Sequence, residues 1–245
     1  METKHYLIIA AVFVAAGGVK GISGLGLPTI SMALLSLVMP PAKAAMLMLL
    51  PSFTTNVAQC LGPNWRWLVK NLWPMWSCLA LFTIFSPFAS IDAAGGHATL
   101  LLGLVLVAYG IWGLIKPALP NGRHHVRWVG GAIGMLSGLI AAATGVFVIP
   151  LVPYVQSLRL DKEAFIQGLG ISFMVATVAL AIRLGTANAG ALLDHVPGCV
   201  LAFLAAFLGL WMGARLRGHM NPVQFQRALY SVFAVLGLIM VGRAL

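Results

Sequence analysis

Apolar residues occupy this chain in long blocks, broken by short gaps that hold a few charges or a Gly/Pro pair. A membrane-spanning helix needs about 20 such residues, within a range of roughly 17 to 25. Cutting the chain at its charge and Gly/Pro breaks gives segments over residues 6–20, 27–38, 42–61, 68–90, 97–116, 128–142, 145–158, 163–183, 195–214 and 222–242. Six are long enough to cross a bilayer easily. The other four form two adjacent pairs, 6–20 with 27–38 and 128–142 with 145–158, and read as hairpins of short or broken helices. The pattern predicts an all-α, polytopic helical membrane protein in which each half runs hairpin, long helix, long helix, long helix.

The expected organisation is an N-terminal repeat over 1–118, a cytoplasmic connecting loop over 119–127 and a C-terminal repeat over 128–245. The residue-level echo between the halves is faint: Gly17-x-x-x-Gly21 recurs as Gly134-x-x-x-Gly138. Because each half crosses an odd number of times, the second half is expected upside down relative to the first, an inverted-topology repeat.

Composition agrees with this pattern. Of 245 residues, 60% are apolar and only 8% are Asp, Glu, Lys or Arg, where soluble domains average about 25% charged. That excludes a soluble globule and a disordered chain. The formal net charge of +10 would suggest a nucleic-acid partner in a soluble protein, but here the cations sit mainly in short gaps, where they encode topology. Placing Arg66 and Lys70 on the cytoplasmic side also puts there Lys116, Arg123 and Arg127, then Arg159 and Lys162, then Arg215, Arg217 and Arg227. Both termini then face outward, which Lys4, Lys43, Arg183 and Arg243 oppose. No cleavage site follows the first apolar stretch, so that helix is expected to stay in the membrane. Trp65, Trp67, Trp73 and Trp76 read as an interfacial belt. Cys60, Cys78 and Cys199 are spaced as packing residues rather than metal ligands.

The breaks carry the candidate chemistry. Lys20-Gly-Ile-Ser-Gly-Leu-Gly-Leu-Pro28 cannot continue as a smooth helix, because Pro28 favours the first turn of a new one. Ala141-Ala-Ala-Thr-Gly-Val146 is expected to break likewise, with Thr144 as an N-cap. The inverted geometry would bring both breaks together at mid-membrane, each presenting the positive start of a helix, and so form an anion site. Lys20 would supply attraction; Gly21, Ser23, Gly24 and Gly26 would let backbone approach the ligand. N–H groups after Gly24 to Gly26 and around Thr144, Gly145 and Val146 would cradle oxyanion oxygens, with Thr55, Asn56, Ser172 and Thr177 completing selectivity. A lysine deep in a membrane costs about 2.5–3.5 kcal/mol on insertion scales, and the competing reading is that Lys20 snorkels to an interface. Pro51 is expected to kink the helix beside Thr54 to Asn56, and Ser52, Gln59 and Gln167 extend the polar set.

Catalysis has little support: no Ser/His/Asp set, H-E-x-x-H or phosphate-binding motif occurs, and neither cofactor nor metal is expected. His124-His125 reads as a solvated tract, and Asp92 with His97 and Asp194 with His195 as helix-end solvation. The five acids, Glu2, Asp92, Asp161, Glu163 and Asp194, fall outside the long-helix interiors, so no carboxylate proton relay is in view. An anion leaving a cell with a negative interior gains roughly 2.3 kcal/mol per charge per 100 mV, which favours voltage-driven export by alternating access. The competing functions are an ion-coupled importer, an anion channel, a non-transporting scaffold and, weakest, a membrane enzyme.

The order of these features resembles the TauE/SafE family of sulfite and organosulfonate exporters. The resemblance is carried by Gly21-Ile-Ser-Gly-Leu-Gly-Leu-Pro28 with Ala44 and the Ser/Thr-rich helix after it, and by Gly138-Leu-Ile-Ala-Ala-Ala-Thr-Gly-Val-Phe-Val-Ile-Pro150 with Ala164 and Ser172. Leu25 and Leu27 interrupt the glycine run usual in that family, and alanines dilute the second. The resemblance implies a multi-pass carrier of the bacterial inner membrane for sulfite, a sulfonate such as sulfoacetate or a related small anion. Its partners would be that anion and the lipid bilayer, with no nucleic acid and with a homodimer admitted.

Overall fold

The computed structural model describes residues 3–87, 96–115, 117, 126–187 and 196–244. The His124-His125 pair, Asp92, Asp194, His195 and most of the central connection lie outside the described residues. Ten helices are described: α1 (Thr3–Ser23), α2 (Leu27–Leu35), α3 (Pro41–Cys60), α4 (Trp65–Ile84), α5 (Gly96–Ile115), α6 (Val126–Thr144), α7 (Leu151–Ser157), α8 (Lys162–Ala187), α9 (Val196–Leu216) and α10 (Pro222–Ala244). No strand occurs among the described residues.

Six of these helices (α1, α5, α6, α8, α9 and α10) are long and apolar enough to cross a membrane. Two members of the expected hairpins, α1 with 21 residues and α6 with 19, are therefore full-length rather than short. The reason is that both helices run past the ends of their apolar blocks, α1 from Thr3 through Gly21 to Ser23 and α6 from Val126 to Thr144. Only α2, with 9 residues, and α7, with 7, are short.

Glycine contacts fix the packing and direction of the helices. Gly17 lies against the Ala206 carbonyl and Gly21 against Leu210 and Ala214, so α1 runs parallel to α9; Gly134 against Met75 and Gly138 against Leu79 and Thr83 make α6 parallel to α4. The repeated Gly-x-x-x-Gly thus marks the seams where α1 meets α9 and α6 meets α4. A Cβ at Gly17 or Gly134 would strike backbone oxygen, the close approach that small residues allow between membrane helices. Helix α5 pairs antiparallel with α10, Gly103 beside Gly237 and Gly110 beside Ala234. Helices α3 and α8 cross at the centre, also antiparallel, with Gln59 beside Gly170 and Gly62 beside Gln167.

Lys20 meets Thr55 and Asn56, and Gly24 meets Gln59, so α1 runs parallel to α3. Leu68 beside Gly168 and Trp76 hydrogen-bonded to Ser172 make α4 parallel to α8. Helices α1, α3 and α9 therefore point one way, and α4, α6 and α8 the other.

Candidate functional site

Both breaks have the same local chemistry, and it is that of a helix end. After α1, Gly24 takes a positive φ of 79° and its N–H donates to Lys20 O at 2.7 Å. Ser23 Oγ donates back to Val19 O at 2.8 Å and accepts the Leu25 N–H at 3.2 Å. After α6, Gly145 has φ 71° and its N–H donates to Ala141 O at 2.8 Å; Thr144 Oγ1 donates to Ile140 O at 2.8 Å and accepts the Val146 N–H at 3.2 Å. This is the left-handed glycine stop that ends many helices.

Three expectations change as a result. Thr144 is the last residue of α6 and closes it, rather than capping a new helix; a Thr-Gly pair reads as a start because hydroxyl caps are commoner there. The N–H groups of Gly24, Leu25, Gly145 and Val146 are occupied within the chain, so they do not cradle a ligand. The two breaks also do not converge at one level: each follows the end of its helix, and α1 and α6 run in opposite directions. They stand toward opposite ends of the bundle. In the second half the chain continues through residues 146–148 without helix, passes a cis Ile149–Pro150 bond and restarts only at Leu151.

The structure gathers a smaller site around Lys20, which is 3% exposed. Its ammonium turns inward, donating to Thr55 Oγ1 at 3.0 Å and to Asn56 Oδ1. It does not snorkel outward. Its partners are neutral oxygens, and α1, α2, α3 and α9 contain no Asp or Glu. Thr55 also donates to Pro51 O at 2.7 Å, which sets its hydroxyl oxygen to accept from Lys20. Helix α3 continues across Pro51.

Two buried groups beside this contact have no partner among the described residues: Asn56 Nδ2 and Ser52 Oγ. Ser52, Thr55, Asn56 and Gln59 fall at i, i+3, i+4 and i+7, one stripe of α3. Gln59 donates from Nε2 to Gly24 O at 2.7 Å, tying the stripe to the break, and its Oε1 is buried without a partner among the described residues. Unpaired buried polar groups cost about 1–3 kcal/mol each, and here they adjoin a buried cation.

Other candidates are hydrogen-bonded within the chain. Ser172 Oγ accepts from Trp76 Nε1 at 2.9 Å and donates to Gly168 O at 2.6 Å, which joins α8 to α4. Thr177 Oγ1 donates to Phe173 O of its own helix. Gln167 donates to Cys60 O and Gly62 O and accepts the Asn64 N–H, closing the end of α3. Arg183, expected to disturb the charge rule, is 8% exposed and donates to Thr83 O and Ile84 O at the end of α4. Ser52 and Gln59 are the site residues hardest to single out from sequence; their i, i+3, i+4, i+7 spacing with Thr55 and Asn56 is the signal that selects them. No cluster of metal-ligating side chains occurs among the described residues.

A bundle with six bilayer-length apolar helices around a buried cation with polar neighbours is that of a multi-pass membrane protein. The family described as sulfite exporter TauE/SafE matches residues 8–240. The chain belongs to that family, whose members are membrane transporters and not enzymes. No curated protein and no solved structure matches it.

Proposed function

We propose that this protein exports sulfite or a small organosulfonate such as sulfoacetate across the bacterial inner membrane, by alternating access, with the anion bound at Lys20. The observation that carries this reading is a lysine buried without a carboxylate, held by Thr55 and Asn56 beside the unpartnered Asn56 Nδ2 and Ser52 Oγ. An ammonium in low dielectric attracts an oxyanion strongly, and the free amide and hydroxyl donors are those a sulfonate oxygen accepts from. Family membership supports the substrate class.

In this reading the two halves are an inverted repeat, 1–118 and 128–245, joined by 119–127. Support comes from the opposite directions of corresponding helices, α1 against α6 and α3 against α8, and from the repeated glycine stop. Such architecture suits rocking of one half against the other. The acids of the described chain, Asp161 and Glu163, are exposed at the start of α8, so the driving force is assigned to voltage and the substrate gradient. Flux of sulfite from proteoliposomes tests this: it should follow an imposed potential. Flux that tracks a proton or sodium gradient and ignores voltage overturns export by uniport.

A further inference from the structure

We propose that the cavity at the end of the bundle where α8 begins is the route by which the anion reaches Lys20, and that the Gln59 side chain latches it shut. This rests on the anion-site reading above. The cavity holds about 220 Å3 and is lined in part by Ile22, Ser23, Gly24, Lys162, Arg217 and Phe225. Two cations and no carboxylate stand on its wall, so it concentrates anions. Arg217 is fixed there by donating to Gly21 O from Nε at 3.1 Å and Nη2 at 2.6 Å, while Lys162 is exposed.

A second space continues inward from Ser23, Gly24 and Ile166, which both share, to Gln59 and Leu169. It narrows to about 20 Å3, room for roughly one water by this measure and too little for a sulfur oxyanion. The obstruction is the Gln59 amide, spanning from α3 to Gly24 O at 2.7 Å. One helical turn deeper, about 5 Å along α3, lie Thr55 and Asn56 with Lys20. The latch is held by a single hydrogen bond, and its other end, Oε1, has no partner among the described residues. Release frees an N–H donor toward the passing anion.

The test uses the full chain in proteoliposomes with Cys60, Cys78 and Cys199 replaced by alanine. Ile166→Cys reports on the outer cavity and Ser52→Cys on the space behind the latch. The probes are a sulfonate-bearing and a trimethylammonium-bearing methanethiosulfonate. With each rate divided by that reagent's rate with a free small thiol, Ile166→Cys should favour the anionic reagent about tenfold, and Lys162→Gln should reduce that preference. Ser52→Cys should react slowly, and at least about tenfold faster once Gln59→Ala or Gln59→Ser is added; the melting temperature of each variant identifies any that fail to fold. Rapid labelling of Ser52→Cys with Gln59 in place, or no acceleration on its removal, overturns the latch. Equal normalised rates for the two reagents at Ile166→Cys overturn the route. Sulfite-induced thermal stabilisation, measured alongside, separates the two readings: if it persists and depends on Lys20 while labelling does not change, the anion site stands and the route falls.

Discussion

Replacing Lys20 by glutamine separates a ligand-binding cation from one that holds helices together. The ammonium is 3% exposed and bonded only to neutral oxygens of Thr55 and Asn56. A hydrogen bond to a charged group is worth about 1.5–3 kcal/mol, and each 1.4 kcal/mol is tenfold in affinity, so Lys20→Gln should weaken sulfite binding by about 10- to 100-fold. The fold suffers less. Burying a charged ammonium away from water is itself costly, and relief of that cost offsets the removal of the hydrogen bonds to Thr55 and Asn56. A glutamine amide can, moreover, still donate to Asn56 Oδ1. Stability should therefore change by no more than about 1 kcal/mol in either direction. Lys43→Gln is the matched control, since Lys43 is half-buried in the first turn of α3, roughly 18 Å along the helix from Thr55. Its removal should change affinity less than about twofold. Purified protein titrated with sulfite, read by melting temperature and by direct calorimetry, checks both quantities. Equal losses at Lys20 and Lys43, or unchanged affinity in a folded Lys20→Gln protein, would refute the anion site.

Three more outcomes follow from the same geometry. Asn56→Asp supplies Lys20 with an internal counter-ion at nearly constant shape, so it should weaken sulfite binding about as much as Lys20→Gln while raising the melting temperature; calorimetry and thermal melts report the two effects separately. Gly17→Val places side-chain atoms on the Ala206 carbonyl at the α1–α9 seam and should lower the yield of monodisperse protein in size-exclusion chromatography, whereas Gly18→Ala, whose Cβ would sit 3.7 Å from Gly209 O, should be tolerated. Arg183→Gln strips the Thr83 and Ile84 carbonyls of a charged donor and should cost about 1–3 kcal/mol of stability in denaturant melts, with sulfite affinity unchanged.

Much of the fold is legible in the sequence because the bilayer allows little else: backbone groups in hydrocarbon must be satisfied internally, so block length alone locates the helices. Each apolar block matches a described helix. Block length does not tell glycines that end a helix from glycines that pack inside one. Gly17 and Gly24 lie seven residues apart in similar company, yet the first is helical against Ala206 and the second has φ 79°; the difference is a neighbouring helix, which sequence does not display. The same limit affects the site. Lys20, Thr55 and Asn56 can be named from residue type and depth. Ser172 cannot be separated from them, because its partner Trp76 lies on a helix that the block pattern does not pair with α8.

The proposed repeat, compared break by break, predicts a single anion site rather than two. The residue whose carbonyl accepts the stopping glycine's N–H is Lys20 in one half and Ala141 in the other. The helix after the first break, α2, begins directly at Leu27; α7 begins only at Leu151, after a non-helical stretch whose Phe147 packs on Phe173, ring centroids 5.3 Å apart. The second break thus carries neither the cation nor a helix start beside it, and its surroundings are aromatic. The same glycine stop therefore occurs toward both ends of the bundle, while the buried lysine stands at only one of them. A ligand held there, against the central α3, can bias α1 and α3 without touching α6. Placing a lysine at Ala141 should for that reason destabilise the protein, because no polar stripe equivalent to Ser52, Thr55 and Asn56 receives it, and thermal melts of Ala141→Lys with and without sulfite check this: a second saturable sulfite site there would show that depth and charge alone suffice, and that the α3 stripe is dispensable.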